Sequence, residues 1–87
     1  MFGWQGEQGW DGLTEREKAV AARVVIGMTN REIAQEMHLA TSTIKAHLSN
    51  TMLKLGVANR TQVALVALRA DSPAVREMTA RVYPETG

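Results

Sequence analysis

Five helix-start signals punctuate the chain at short intervals, and they constrain its fold more than any other feature. Thr14-Glu15-Arg16-Glu17 and Thr29-Asn30-Arg31-Glu32 have the form of capping boxes. In each, a threonine hydroxyl and a glutamate three residues later can satisfy two amides that the first helical turn leaves free. Asn59-Arg60-Thr61-Gln62 resembles a third box, Thr41 can cap another helix, and Ser72-Pro73 pairs an N-cap serine with a proline at the first helical position. Apolar residues follow each signal at helical spacing. Val20, Ala21, Val24, Val25 and Met28 follow the first, and Ile33, Ala34 and Met37 the second. Ile44, Leu48, Met52 and Leu55 follow the third, Val63, Ala64, Ala67 and Leu68 the fourth, and Val75, Met78 and Val82 the last. No segment alternates with the period of a strand. The sequence therefore predicts an all-α domain of four helices, with a short fifth helix ended by Pro84.

Stops separate these starts. Gly27 is a candidate stop, Gly56 stands where a left-handed C-cap glycine belongs, and His38-Leu39-Ala40 reads as a tight turn. Before the first helix, residues 1–12 hold four of the seven glycines together with Trp4 and Trp10. That stretch is expected to be a flexible arm or linker, which the two tryptophans could alternatively pin to the domain or to a neighbour. The domain proper is expected over 13–70, and 71–87 as a C-terminal extension.

Charge is distributed unevenly, although the formal net charge is only +1. From Met37 to Ala70 there is no acidic residue, while Lys45, Lys54, Arg60 and Arg69 are all basic. A module that lays one face on a polyanion shows this asymmetry. Other functions find little support. There is no cysteine for a disulfide or thiolate site, and His38 and His47 are the only histidines. The carboxylates sit mostly at helix starts, where caps and the helix dipole account for them. No zinc-protease motif, nucleophile elbow or phosphate loop is present. We expect no enzyme, no cofactor and no bound metal. No apolar run is long enough to span a membrane, and the first residues lack the features of a signal peptide, so a cytoplasmic protein is expected.

A short helix, a three-residue turn and a longer helix at about 42–55 form the plan of a helix-turn-helix. In that plan the second helix enters the major groove of double-stranded DNA. Ser42, Lys45, Ala46, Ser49 and Leu53 lie opposite its apolar stripe, and Thr43, His47, Asn50 and Lys54 lie on its flank. Small polar residues let the backbone approach base edges, and the flank carries phosphate donors without a repelling carboxylate. Competing readings are a half-buried structural role for His47, simple solvation for Lys45, a dipole role for Lys54 and a local cap for Asn50.

The segments LTEREKAV, GMTNREIAQEM and TSTIKAHLSNTMLKLGVANRTQVALVALR resemble the C-terminal DNA-binding domain of the LuxR/FixJ family of bacterial regulators, from Leu13 to Arg69. The resemblance implies four helices, with the third as recognition helix and the fourth as dimer contact. It places Lys45, Ala46 and Ser49 toward bases, and Thr43, His47, Asn50, Lys54, Asn30 and Arg31 toward the backbone. Glu17 matches the family's buried structural glutamate. Helix four has more apolar residues than one face can bury: Val63 and Ala67 are expected inward with some of Leu65, Val66 and Leu68 left over, and Val63, Val66, Ala67 and Leu68 are the expected contact of a weak homodimer formed on DNA. The implied function is regulation of transcription on nucleoid DNA. RNA polymerase and a preceding sensory domain are the further partners expected. The alternatives are the promoter-reading domain of a sigma factor, and an interaction module that no longer binds DNA. The chain departs from the family pattern at Ala21, Arg23, Ile26, Thr51 and Leu53, which puts the packing of the first helix in question and leaves Ile26 and Leu53 available to a partner.

Overall fold

The computed structural model describes residues 9–84. A 3₁₀ helix at Trp10–Gly12 leads into α1 (Glu15–Val25), α2 (Asn30–Met37), α3 (Thr41–Leu55), α4 (Arg60–Ala70) and α5 (Pro73–Val82). Among the described residues there is no strand, and no helix is long and apolar enough to cross a membrane.

Both threonine capping boxes form. The Glu17 amide donates to Thr14 Oγ1 at 3.1 Å and the Thr14 amide to Glu17 Oε1 at 2.9 Å. The corresponding bonds at Thr29 and Glu32 are 3.1 and 2.8 Å. Ser72 caps α5 through the Val75 amide at 3.4 Å, with Pro73 in the first turn. The other two starts differ from expectation. Asn59 caps α4 by accepting from the Gln62 amide at 2.9 Å, but the Gln62 side chain reaches back to the Ala58 amide instead of closing a reciprocal box. Helix α3 begins one residue early: Thr41 is already helical, and Ala40 occupies the N-cap with no side chain to bond the free amides.

The first three helices end alike. The chain turns left-handed at Gly27 (φ 87°), His38 (φ 59°) and Gly56 (φ 70°). Each time, the following residue's amide reaches back to the last helical turn: Met28 to Arg23 O, Leu39 to Ala34 O and Val57 to Met52 O. These are Schellman motifs. Glycine takes the left-handed region without penalty, whereas His38 takes it at a cost in backbone energy.

Helix α1 is the hub and packs against α3, α4 and α5, while α2 packs on α3 and α3 on α4. Val20, Ile33, Ile44 and Val63 are fully buried. Each such side chain contributes roughly 1.5–3 kcal/mol by leaving water. Val20 and Val24 face one side of α1, and the fully buried Ala22 lies nearly opposite. The helix is therefore covered on more than one side. Its face is not the single stripe that the apolar spacing predicts.

Three expectations are corrected here. The arm predicted over 1–12 ends before Trp10, which is 8% exposed within the core and whose 3₁₀ turn packs on α4. Trp4 lies outside the described residues. On α5, Val75 and Met78 are buried as expected, but Val82 is 45% exposed. On α3, Thr51 lies at the centre of the buried face and Met52 at its edge. Thr51 is fully buried with its hydroxyl donating to His47 O at 2.7 Å, so the expected apolar stripe contains a satisfied threonine.

Candidate nucleic-acid interface

The pair α2–α3 forms the helix-turn-helix, with His38, Leu39 and Ala40 as its turn. Ile44, Leu48, Thr51 and Leu55 anchor α3 inward. The helix period then points the opposite side outward. Ser42, Lys45, Ala46, Ser49, Asn50 and Leu53 are all exposed, Leu53 to 80%. Thr43 and His47 are half-buried at the flank, and Arg31 is exposed in the first turn of α2. Among the described residues, the side chains of Lys45, Ser49, Asn50 and Arg31 make no hydrogen bond or ion pair within the domain. Nor does any side chain cap α3. The first amides of α3 thus lack a side-chain partner, at the positive end of the helix dipole.

Two expected backbone contacts have partners inside the domain. Lys54 Nζ donates to Glu17 Oε1 at 2.8 Å. Glu17 is 4% exposed. Burial works against its charge, but the Lys54 ammonium and the Thr14 amide outweigh that, and its pKa lies below the ordinary value. The cation expected at phosphate thus neutralises a buried carboxylate. Asn30 Oδ1 accepts from Arg60 Nη1 at 2.6 Å, and Arg60 Nη2 also bonds Met28 O. Asn30 therefore orients the start of α2 against α4. Sequence reading missed Arg60 in this role, because its partners stand about 30 positions away and no local pattern marks such a bond.

The dimer residues expected on α4 also divide. Val63 and Ala67 are fully buried and belong to the core of the single chain. That removes them from any contact surface. Leu68 stays 49% exposed beside Leu65 at 55%, and Val66 is half-buried.

Elsewhere the described surface offers little chemistry. An open groove of about 560 Å³ is lined by Ile26, Gly27, Met28, Glu32, Arg81 and Val82. Among the described residues, no cluster of three or more His, Asp or Glu side chains is placed to hold a metal ion.

A family model described as bacterial regulatory proteins, luxR family, matches residues 11–67. The chain belongs to this family. The uncharacterized transcriptional regulatory protein YhcZ of Bacillus subtilis is 46% identical over 57 residues, 66% of this chain and 27% of that protein. The transcriptional regulatory protein LiaR of the same organism is 39% identical over 59 residues, 68% of this chain and 28% of its own length. The response regulator protein VraR of Staphylococcus aureus is 40% identical over 57 residues, 66% of this chain and 27% of its own. The chain thus spans about a quarter of the length of these relatives. The match to the luxR family contains the whole helix-turn-helix and most of α4, and it stops before α5.

Proposed function

We propose that this luxR-family chain binds double-stranded DNA and regulates bacterial transcription, with α3 lying in the major groove. The observation that carries the reading is the outer face of α3, where exposed polar side chains without partners among the described residues adjoin an uncapped helix start. Lys45, Ala46 and Ser49 face base edges. Lysine can donate to the acceptors of guanine, serine to either base of a pair, and the alanine methyl can touch thymine. Thr43, His47, Asn50, Arg31 and the free amides at the start of α3 hold the phosphates. Lys54 and Asn30 support this face from behind.

One recognition helix covers few base pairs, so two copies on adjacent half-sites give the specificity a regulator needs. Leu65 and Leu68, with Val66 at their edge, are the apolar surface of α4 left for that contact. A contact of this size is weak in the free protein and forms on DNA. The greater length of the relatives, and the identity of VraR as a response regulator, support a signal-receiving domain in the same polypeptide. RNA polymerase and a cytoplasmic setting belong to the same reading. Membership of the luxR family favours it over a sigma-factor domain.

Selection from a randomised duplex pool, followed by binding titrations at several salt concentrations, tests the proposal. It expects enrichment of one sequence and affinity that falls steeply with salt. A chain that enriches nothing, and binds no duplex at low salt, is an interaction module and not a DNA reader.

A further inference from the structure

Helix α5 lies beyond the residues matched by the family model, yet it is bound into the domain like the matched helices. Val75 and Met78 are 3% and 4% exposed, and the helix packs on α1. Arg76 grips Asp71 through bonds of 3.0 and 2.8 Å and so fixes the turn from α4. The last turn of α5 carries Arg81. Its Nη1 donates to Glu36 Oε1 at 3.0 Å and its Nη2 to Glu36 Oε2 at 2.5 Å. Arg23 of α1 donates from Nε to the same Oε1 at 2.5 Å, and its Nη1 bonds Ala19 O at 2.9 Å. Three helices meet at one carboxylate, and the departure from the family pattern at Arg23 becomes part of the same arrangement.

The place of that carboxylate is informative. Glu36 lies in the last turn of α2, where the helix dipole opposes a negative charge, and the two guanidiniums reverse the balance. Two residues later, His38 takes the left-handed turn into α3. A residue with a side chain keeps that conformation only where its surroundings fix the chain. Helix α2 fully buries little more than Ile33 and Ala34 and packs chiefly on α3. Its start is tied to α4 by the Arg60–Asn30 bond, and its end to α1 and α5 by Glu36.

We propose that α5 is a brace for the helix-turn-helix: Arg81, acting with Arg23 through Glu36, fixes α2 and thereby the pose in which α3 meets DNA. The inference rests on the DNA-binding reading above. Arg81 is a positioning residue, and the brace needs no contact between Arg81 and a phosphate.

Simple electrostatics and the brace predict opposite signs for Glu36→Ala. Removing a carboxylate should tighten binding to a polyanion, whereas loss of the brace should loosen it. The test uses the full chain, the duplex that wild type enriches from a randomised pool, and temperatures at which circular dichroism shows each variant folded. Arg81→Ala and Glu36→Ala should each weaken binding about three- to tenfold, the size of couplings carried through packed contacts. The double variant should be no worse than either single one. The salt slope of Arg81→Ala should equal that of wild type, because no phosphate contact is lost. Amides of α2 should exchange faster while those of α4 do not. Arg81→Lys keeps the charge but loses the two-pronged grip, so it supplies a milder variant with the same signature should the alanine forms unfold. Wild-type affinity in folded Arg81→Ala and Arg81→Lys overturns the brace. Tighter binding by Glu36→Ala, with a salt slope lowered by about one in Arg81→Ala, also overturns it and makes Arg81 a phosphate contact. If wild type enriches no duplex, the DNA-binding reading itself has failed, and a positioning role toward DNA falls with it.

Discussion

The two charged regions of this domain are built in opposite ways. On the side where α1, α2 and α5 meet, Glu36 holds both Arg23 and Arg81, and at the turn from α4 to α5 Asp71 holds Arg76. Beneath α3, Glu17 holds Lys54. On the outer face of α3, Lys45, Ser49 and Asn50 bond no group among the described residues. Charge that has found a partner inside the fold positions helices. Polar groups left without one, on a helix anchored by a buried opposite face, are free for a ligand. Lys45 and Lys54 lie on the same helix, and their surroundings rather than their residue type separate the two roles.

Replacing Lys54 should give the largest effect on stability. Lys54→Met leaves Glu17 buried without its cation. The expected cost is about 2 kcal/mol, below the roughly 3–5 kcal/mol of a fully buried pair because Lys54 is partly in water. Urea unfolding measures it, and a loss near zero would erase the distinction between the two lysines. Thr29→Ala removes one half of a capping box and should cost about 1 kcal/mol. A double-mutant cycle with Glu32→Ala should show coupling, since each partner holds the other's amide.

Acid should release the Glu36 cluster by a similar amount. Hydrogen bonds from Arg81 and then Arg23 hold the Glu36 carboxyl down at about 2, against the opposing effect of burial. Its folded pKa lies below the unfolded value of about 4.5, so the unfolded chain binds more protons between the two. The contribution is complete above that window and is lost as pH falls from about 4.5 toward 2. Wild type should therefore lose more thermal stability than Glu36→Gln across this range, by about 1 kcal/mol after allowance for solvent screening. Parallel melting curves with pH would contradict the cluster. The smallest effect is expected at Thr41→Ala, within roughly 0.5 kcal/mol, because Thr41 is helical and caps nothing. A loss equal to that at Thr29 would restore Thr41 as a cap.

What was legible in the sequence was local. A threonine three residues before a glutamate, a serine before a proline and a glycine after an apolar run each specify a helix end through bonds spanning a few residues, and the helices begin and end there. The outer face of α3 was legible for the same reason, since the helix period alone opposes it to Ile44 and Leu48. Misreadings arose where distant elements decide. Ala40 displaced Thr41 from the cap by one residue. The arm predicted up to residue 12 gave Trp10 to the core because α4 offered it a surface. Val63 and Ala67 lie inward as their positions on α4 predict, but counting them in the dimer contact as well fails, because the continuous apolar run does not say how much of it the other helices will cover. The bonds Arg60–Asn30 and Arg81–Glu36 join residues 30 and 45 positions apart, and nothing in their spacing marks them.

The central claim is that the outer face of α3 reads DNA while the paired charges behind it only hold that face in place. Lys45→Ala tests it most directly, with specific and scrambled duplexes titrated in competition and urea unfolding run on the same preparation. The account predicts unchanged stability, within about 0.5 kcal/mol, and loss of specific over scrambled binding by about 1–3 kcal/mol. An unchanged specificity ratio in a fully folded variant would contradict it.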